Sequence, residues 1–344
     1  MNRWLAPLAA GYGWAASLRG AGYRRGWLEQ KRLNRPVVSI GNLTTGGTGK
    51  TPLVAYVAKL FLQRGLRPVI LTRGYRRREK SLVAFDPADN SSPDPRKMGD
   101  EPALLAAALP AVPVVVCADR FRAGRVAEER FNPDVHLLDD GFQHLRLARD
   151  LDLVALDVTQ ELSDRFLLPA GRLRERCSAL RRAHILVLTR VDFNDRDAFA
   201  TRLKRLGLKA PVFHSRTRLT GFVEIRTGRL LPPDALRGGR LFAFCGIGNP
   251  QAFFRDLRRW GLELACERIF RDHHAYSEDD VASIMLSART SGASALITTE
   301  KDAMNVPQAL KVRVNAFACV IEAEIVERED FEKRLMDSLV SCPA

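Results

Sequence analysis

The chain has no C-x-x-C pair and no histidine at metal-ligand spacing. Its six cysteines, Cys117, Cys177, Cys245, Cys266, Cys319 and Cys342, are scattered, a pattern that predicts reduced thiols in a cytosolic compartment. Nowhere does an apolar run reach the ~18 residues a membrane-spanning helix needs. The longest candidate, Ala103–Ala118, is interrupted by Pro110 and Pro113 and reads as a helix end, a turn and a buried strand. Acidic residues are in deficit: 40 Asp and Glu face 54 Lys and Arg, a formal charge of +14 that predicts an anionic partner. A helicase-like motif series and an aromatic–basic single-strand groove are both missing, which argues against nucleic acid. Internal repeats and long low-complexity runs are missing too; Asp86–Pro95, rich in Asp, Ser and Pro, is the one loop-like patch.

What is present begins with an apolar N-terminal stretch, Trp4–Ala16, that follows Arg3 and imitates a signal peptide. It leads into Arg19, Arg24, Arg25, Lys31, Arg32 and Arg35 and then straight into a nucleotide-type loop, so an uncleaved interfacial anchor is the expectation. Trp4, Tyr12, Trp14, Tyr23 and Trp27 suit a lipid headgroup layer, and each basic residue near an anionic surface adds about 1 kcal/mol. The alternative is a helix that packs its aromatics on the protein body.

From Pro36 onward, short β-branched runs alternate with helical stretches: Val37–Ile40, Val69–Thr72, Val112–Val116, Val135–Leu138, Leu153–Leu156 and Ile185–Leu188. Continuous apolar strands of this kind predict an α/β fold, a mostly parallel sheet with helices on either side. After Pro211, Phe222–Arg226 and Arg229–Leu231 turn about Thr227 and Gly228 as a hairpin. A second α/β region follows, with strands near Leu241–Cys245, Ala295–Thr298 and Ala316–Ile321. The expected organisation is an amphipathic segment over 1–35, a P-loop NTPase-like core over 36–215, a hairpin connector over 216–235 and a smaller C-terminal α/β domain over 236–344.

Within Val37–Pro52, V-V-S-I-G-N-L-T-T-G-G-T-G-K-T-P reads as strand, glycine-rich turn and helix start. Backbone N–H groups over Thr44, Thr45, Gly46, Gly47, Thr48, Gly49, Lys50 and Thr51 would wrap nucleotide phosphates. Lys50 would reach the terminal phosphates, and the Thr51 hydroxyl would ligate Mg²⁺. Thr44 stands where the strict pattern has Gly, so the loop is a variant. An acidic partner comes from V-H-L-L-D-D-G-F-Q-H, Val135–His144, which brings Asp139 and Asp140 to a strand's carboxyl end as candidate Mg²⁺ ligands.

These residues, with T-R-G-Y (Thr72–Tyr75), G-D-E-P (Gly99–Pro102), L-P-A-G-R-L-R-E (Leu168–Glu175), F-C-G-I-G-N-P (Phe244–Pro250), D-H-H (Asp272–His274) and T-E-K-D-A (Thr299–Ala303), carry a family likeness over most of the chain. The chain resembles the tetraacyldisaccharide 4'-kinases, the lipid A 4'-kinases of Gram-negative bacteria. It departs from them at Arg76, where Gly usually follows R-G-Y, and at Arg172, Arg176 and Cys177, where prolines and a serine-like segment are more usual.

The resemblance implies transfer of the ATP γ-phosphoryl group to the 4'-hydroxyl of an acylated disaccharide 1-phosphate. It also implies a protein, expected as a monomer, seated on the cytoplasmic face of the inner membrane. Asp100 matches the family's base; from its residues alone, G-D-E-P at a helix start equally describes an N-terminal cap with acidic first-turn residues. His273 matches a histidine that pairs with that carboxylate. Lys50 and Arg120 are the cations expected near transferring or substrate phosphates, with a surface ion pair the alternative for Arg120. Arg172, Arg174 and Glu175 border the sugar pocket by motif position. T-R-V-D, Thr189–Asp192, resembles a guanine-reading loop without its Asn and Lys, so GTP is not inferred, and Glu300, Lys301 and Asp302 read equally as a charged strand end. The rival function is a membrane-associated nucleotide switch or assembly factor that hydrolyses ATP without a lipid acceptor.

Overall fold

In a computed structural model of the chain, residues 3–75, 77, 79–89, 92–160, 162, 167–192, 196–307 and 315–340 are described. Arg76 lies outside them. Two compact units divide the chain, one of residues 1–216 with 323–344 and one of residues 217–322.

Unit 1 starts with helix α1 (Ala6–Arg24), then β1 (Val37–Asn42), α2 (Lys50–Gln63), β2 (Pro68–Thr72) and β3 (Val83–Phe85). It continues with α3 (Pro95–Met98), α4 (Asp100–Ala108), β4 (Val114–Val116), α5 (Arg120–Phe131), β5 (Val135–Asp139), β6 (Leu151–Asp157), β7 (Ile185–Thr189) and α6 (Arg196–Arg205). Along β8 (Val212–Glu224) the chain passes into unit 2. There it forms β9 (Leu230–Leu231), β10 (Arg240–Cys245), α7 (Pro250–Arg259), β11 (Glu263–Ile269), α8 (Glu278–Thr290), β12 (Ala295–Thr299), α9 (Glu300–Met304) and β13 (Ala316–Ile325), before α10 (Arg328–Val340) returns to unit 1.

The sheet of unit 1 runs β3-β4-β2-β5-β1-β6-β7-β8, parallel except for β3. Because β1 has β5 on one side and β6 on the other, the strand order reverses there, the place where open α/β sheets bind ligands. The central strands β1, β2, β5, β6 and β7 are buried along their whole length, as their uninterrupted Val, Ile and Leu runs require. One core cluster joins Leu53, Val54, Val57 and Phe61 of α2 to the sheet and to Phe331 and Leu335 of α10. Each such fully buried side chain stabilises the fold by about 1.5–3 kcal/mol. That apolar face explains why α10, although it follows the second α/β region in sequence, groups with unit 1.

Unit 2 pairs β10 in parallel with β11 and β12, and β12 with β13. The anticipated hairpin is present, with Phe222 opposite Leu231 and Gly228 at φ 73°, a conformation glycine adopts without Cβ strain. Two strands escape sequence periodicity. β3 has three half-buried residues on an antiparallel edge, and β11 carries Glu263, Glu267 and Arg268 on a sheet edge. Short or polar edge strands lack the apolar signature that marks central ones.

Candidate active site

The carboxyl ends of β1, β6 and β7 meet at the turn between β1 and α2. That turn leaves β1 at Asn42 and enters α2 through Gly49 at φ 77°, where a side chain would be strained. Its middle is held from three directions. Asn42 Nδ2 donates to Thr48 Oγ1 at 2.8 Å, Thr189 Oγ1 donates to the Thr48 carbonyl at 2.9 Å, and Arg190 Nη1 donates to the Gly47 carbonyl at 2.7 Å. Arg190 is itself paired with Asp157 at the end of β6. The T-R-V-D segment is thus a brace beneath the turn. On the opposite flank the L-P-A-G-R-L-R-E segment lies along the loop's entry: Thr45 N donates to the Arg172 carbonyl at 2.7 Å and Arg174 N to the Leu43 carbonyl at 2.8 Å. The Gly47 and Thr48 carbonyls are thereby engaged away from an anion, but the Thr45 N–H, expected to face phosphate, is taken up by the Arg172 carbonyl instead.

Asp139 and Asp140 are adjacent but electrically different. Asp139 is buried, accepts a hydrogen bond from Thr72 Oγ1 at 2.9 Å and is pushed up to about 6 by burial and by the nearby Glu101 carboxylate. Asp140 sits at φ 52°, an αL residue. Burial would raise it, but Lys50 Nζ at 2.5 Å and Arg174 Nη1 at 2.7 Å prevail and hold it well below the usual carboxylate range. Gly141 follows because a Cβ there would come within 2.5 Å of Leu138 Cδ2 and 2.7 Å of Ser39 Oγ. Gln143 completes the lattice, donating to the Asn42 carbonyl at 2.9 Å and accepting from Arg174 at 3.3 Å.

Asp100 and Glu101 form the first turn of α4, where carboxylates favour the helix dipole. The cap position belongs to Gly99 at φ 95°, within reach of the T-R-G-Y turn: a Cβ on Gly99 would lie 3.2 Å from the Tyr75 carbonyl oxygen. Arg120, at the start of α5, is buried rather than part of a surface ion pair. It donates to the Ala118 carbonyl at 3.1 Å, and its Nε finds no acceptor among the described residues. Burial lowers Arg120 to about 10 while Asp139 and Asp140 pull it up, so it stays a cation at neutral pH beside the two carboxylates. Glu175 is buried in a two-bond pair with Arg182, 2.9 Å each, and Arg172 is exposed.

Unit 2 gathers its own motifs at the ends of β10 and β12. Asp302 is buried, accepting from Gly246 N at 2.8 Å, Tyr276 Oη at 2.9 Å and Thr299 Oγ1 at 2.7 Å; it is an internal clamp, not a charged strand end. His273, at φ 59°, donates its N–H to the Gly246 carbonyl at 3.0 Å, and Lys301 Nζ stands 3.1 Å from its Nε2. His274 pairs with Asp280 at 2.9 Å.

Lys50 of the turn therefore meets Asp140, which Arg174 also holds, with Asp139 and Arg120 close to that pair in unit 1, while His273 belongs to unit 2. Motif reading passed over Asn42, Thr72, Glu101, Gln143, Asp157 and the bracing role of Thr189 and Arg190. Position directly after an apolar strand is the signal that marks Asn42, Thr72, Asp157 and Thr189.

Over residues 1–340 the chain matches the family model LpxK, tetraacyldisaccharide-1-P 4'-kinase. It is 41% identical over 337 residues to the tetraacyldisaccharide 4'-kinase of Geobacter metallireducens, with 95% of each chain covered. Against the tetraacyldisaccharide 4'-kinase of Koribacter versatilis the identity is 43% over 306 residues, covering 87% of this chain and 88% of the relative. The solved "apo" form of LpxK from Aquifex aeolicus in complex with ATP superposes with a TM-score of 0.78 at 31% identity, over 97% of this chain and 98% of that one. By sequence along nearly its whole length and by fold, the chain belongs to the tetraacyldisaccharide-1-phosphate 4'-kinase family.

Proposed function

We propose that this protein transfers the γ-phosphoryl group of ATP to the 4'-hydroxyl of a tetraacyldisaccharide 1-phosphate, at the cytoplasmic face of a bacterial inner membrane, in lipid A biosynthesis. The observation that carries the reading is the Lys50–Asp140–Arg174 cluster at the mouth of a braced phosphate loop, with Arg120 buried beside it. Lys50 exchanges the Asp140 carboxylate for the terminal phosphates of ATP. Arg120, Arg172 and Arg174 supply positive charge for transferring or substrate phosphates, and Glu175 fixes Arg182 at the edge of the acceptor pocket.

In the transfer the acceptor oxygen forms a bond to the γ-phosphorus as the bond from that phosphorus to the β,γ-bridging oxygen breaks, and ADP leaves with the electron pair. The hydroxyl proton passes to Asp100, a first-turn carboxylate of α4; His273 is proposed, from the family resemblance, as that base's partner. For Mg²⁺ the donors are the Thr51 hydroxyl with Asp139 and Asp140, one of them firmly ionised. Among the described residues no three His, Cys, Asp or Glu side chains cluster as a metal cage. The donors still fit, because Mg²⁺ uses one or two carboxylates together with substrate phosphates. Bound there, the ion would neutralise phosphate charge.

Membrane seating is supported by α1. On the helix Trp14 is 66% and Leu8 62% exposed, and Trp4 in the turn just before it is 91% exposed, while the buried positions of the helix are Ala9, Gly13, Gly20 and Gly22. No helix among the described residues is long and apolar enough to cross a membrane, so α1 fits a helix lying in the interface.

Labelled ATP and a detergent-dispersed disaccharide 1-phosphate lipid test the reaction. Label should move to the lipid 4' position, falling about 10²–10⁴-fold in Asp100→Ala and about 10²–10³-fold in Lys50→Ala. Phosphate release at full rate without lipid would instead favour the nucleotide switch.

A further inference from the structure

At the end of β7, Thr189 and Arg190 grip two successive carbonyls of the glycine-rich turn, Thr189 Oγ1 donating to the Thr48 carbonyl at 2.9 Å and Arg190 Nη1 to the Gly47 carbonyl at 2.7 Å. A trans peptide holds its carbonyl and the following N–H on opposite sides of the chain. The Gly47 carbonyl, drawn toward Arg190, therefore aims the Thr48 N–H away from it. The Thr48 carbonyl, drawn toward Thr189, does the same for the Gly49 N–H. The Thr45 N–H is spent on the Arg172 carbonyl, but neither the Thr48 nor the Gly49 N–H meets a protein acceptor among the described residues. Thr48 is buried, and buried amides are nearly always paired, so two neighbouring donors stand ready for an acceptor from outside the chain.

The grip is fixed from behind. Arg190 sits at φ 59°, a backbone conformation that L side chains rarely adopt and that persists only where the surroundings impose it. Its Nη1 also pairs with Asp157, whose side chain is wholly buried at the end of β6. Asp157 accepts in turn from Thr159 N at 2.9 Å and Thr159 Oγ1 at 2.6 Å, which anchors the carboxylate. A planar guanidinium can serve a carbonyl and a carboxylate together without freedom to swing. Thr189 packs on the same turn, where a Cβ on Gly49 would lie 3.5 Å from Thr189 Cβ. The last residue of T-R-V-D is committed to the protein as well: Asp192 pairs with Arg216 at 3.0 Å. None of the three is arranged as a reader of a nucleobase.

We infer that Thr189 and Arg190, the latter held by Asp157, are positioning residues of the phosphoryl transfer: they turn the Thr48 and Gly49 N–H groups toward the phosphate chain of the nucleotide and read no part of its base. The inference rests on the proposed nucleotide role of Thr44–Thr51, and the experiment separates the two. Thr189→Val removes the hydroxyl at nearly constant volume, with Thr189→Ser as its conservative control. Arg190→Gln removes the guanidinium, with Arg190→Lys as control. Because Arg190→Gln strands the buried Asp157 charge, the double variant Arg190→Gln/Asp157→Asn keeps the test open if the single variant does not fold.

The full chain is assayed for transfer with ATP and with GTP, and the Thr48 and Gly49 amides are followed by ¹H–¹⁵N NMR during titration with a non-hydrolysable ATP analogue. In Thr189→Val and Arg190→Gln, KM for ATP should rise about tenfold with kcat within about threefold of the parent, the mark of lost binding common to ground and transition states. ATP and GTP should suffer in the same proportion, and the serine and lysine controls should recover part of the loss. Both amides should move on analogue binding in the parent and move less in the variants. Equal amide movement and parent KM in the variants would overturn the inference while the turn keeps its nucleotide. An ATP-to-GTP ratio changed by more than about threefold would make Arg190 a base reader, and a fall in kcat at constant KM would place it at the reacting atoms; either result overturns the inference. Analogue binding that leaves both amides unmoved in the parent, and is undiminished in Lys50→Ala, would remove the nucleotide from the turn and the inference with it.

Discussion

The first two helices of unit 1 invert one another. α2 starts at Lys50 and buries Leu53, Val54, Val57, Leu60 and Phe61. α1 buries only Ala9, Gly13, Gly20 and Gly22 and turns Leu8, Trp14 and Leu18 outward. The sequence set the aromatics of α1 toward a lipid surface, with packing on the protein body as the alternative. The difference shows that a helix docked by small residues approaches its support closely and leaves its apolar payload for another surface; at Gly13 a Cβ would lie 2.7 Å from Leu167 Cδ1. Exposed apolar area of this order marks an interaction site.

The contrast can be broken most forcefully at Phe61. Phe61→Ala should destabilise the fold by about 3–5 kcal/mol in urea titrations, the cost of a cavity under α2; a loss below 1 kcal/mol would mean that α2 is not the structural helix of the pair.

Next comes His144, which burial lowers to about 4, with Arg120 and Arg149 and, more weakly, Arg19 of α1 adding to the effect. A histidine depressed in the folded state contributes stability that is whole above pH 6.5 and is lost as pH falls toward 4. The loss should be on the order of 2–3 kcal/mol, and His144→Gln should flatten the urea midpoint over that window; an unchanged slope would show that no buried neutral imidazole stands there.

Gly13→Val should cost about 1–3 kcal/mol by overpacking α1 against Leu167, and equal stability would deny the close docking. Smallest in stability is Trp4→Ala with Trp14→Ala, expected within about 0.5 kcal/mol of the parent in the same titration. Vesicle flotation should nevertheless drop tenfold or more. Undiminished flotation would return the tryptophans to the status of ordinary surface residues.

Much of the fold was legible because central parallel strands are buried on both faces and must be apolar throughout. β1, β2, β5, β6 and β7 all begin within two residues of their expected starts. The glycine-rich turn was equally plain, since glycines at Gly46 and Gly49 answer to positive φ. β3 and β11 were not, being edge strands. Arg190 was not either: its function is to meet the Gly47 carbonyl and Asp157, residues more than thirty positions away. Nor could Asp302 be told from a surface charge before its three donors were in view.

By itself the sequence determined the secondary-structure alternation, the glycine-rich turn and the family, because these depend on spacing along the chain. Tertiary structure alone decided that Asp140 stays ionised while Asp139 is pushed up, and that Arg120 is buried. Those properties arise from which distant groups share a low-dielectric space, and local pattern holds no record of that.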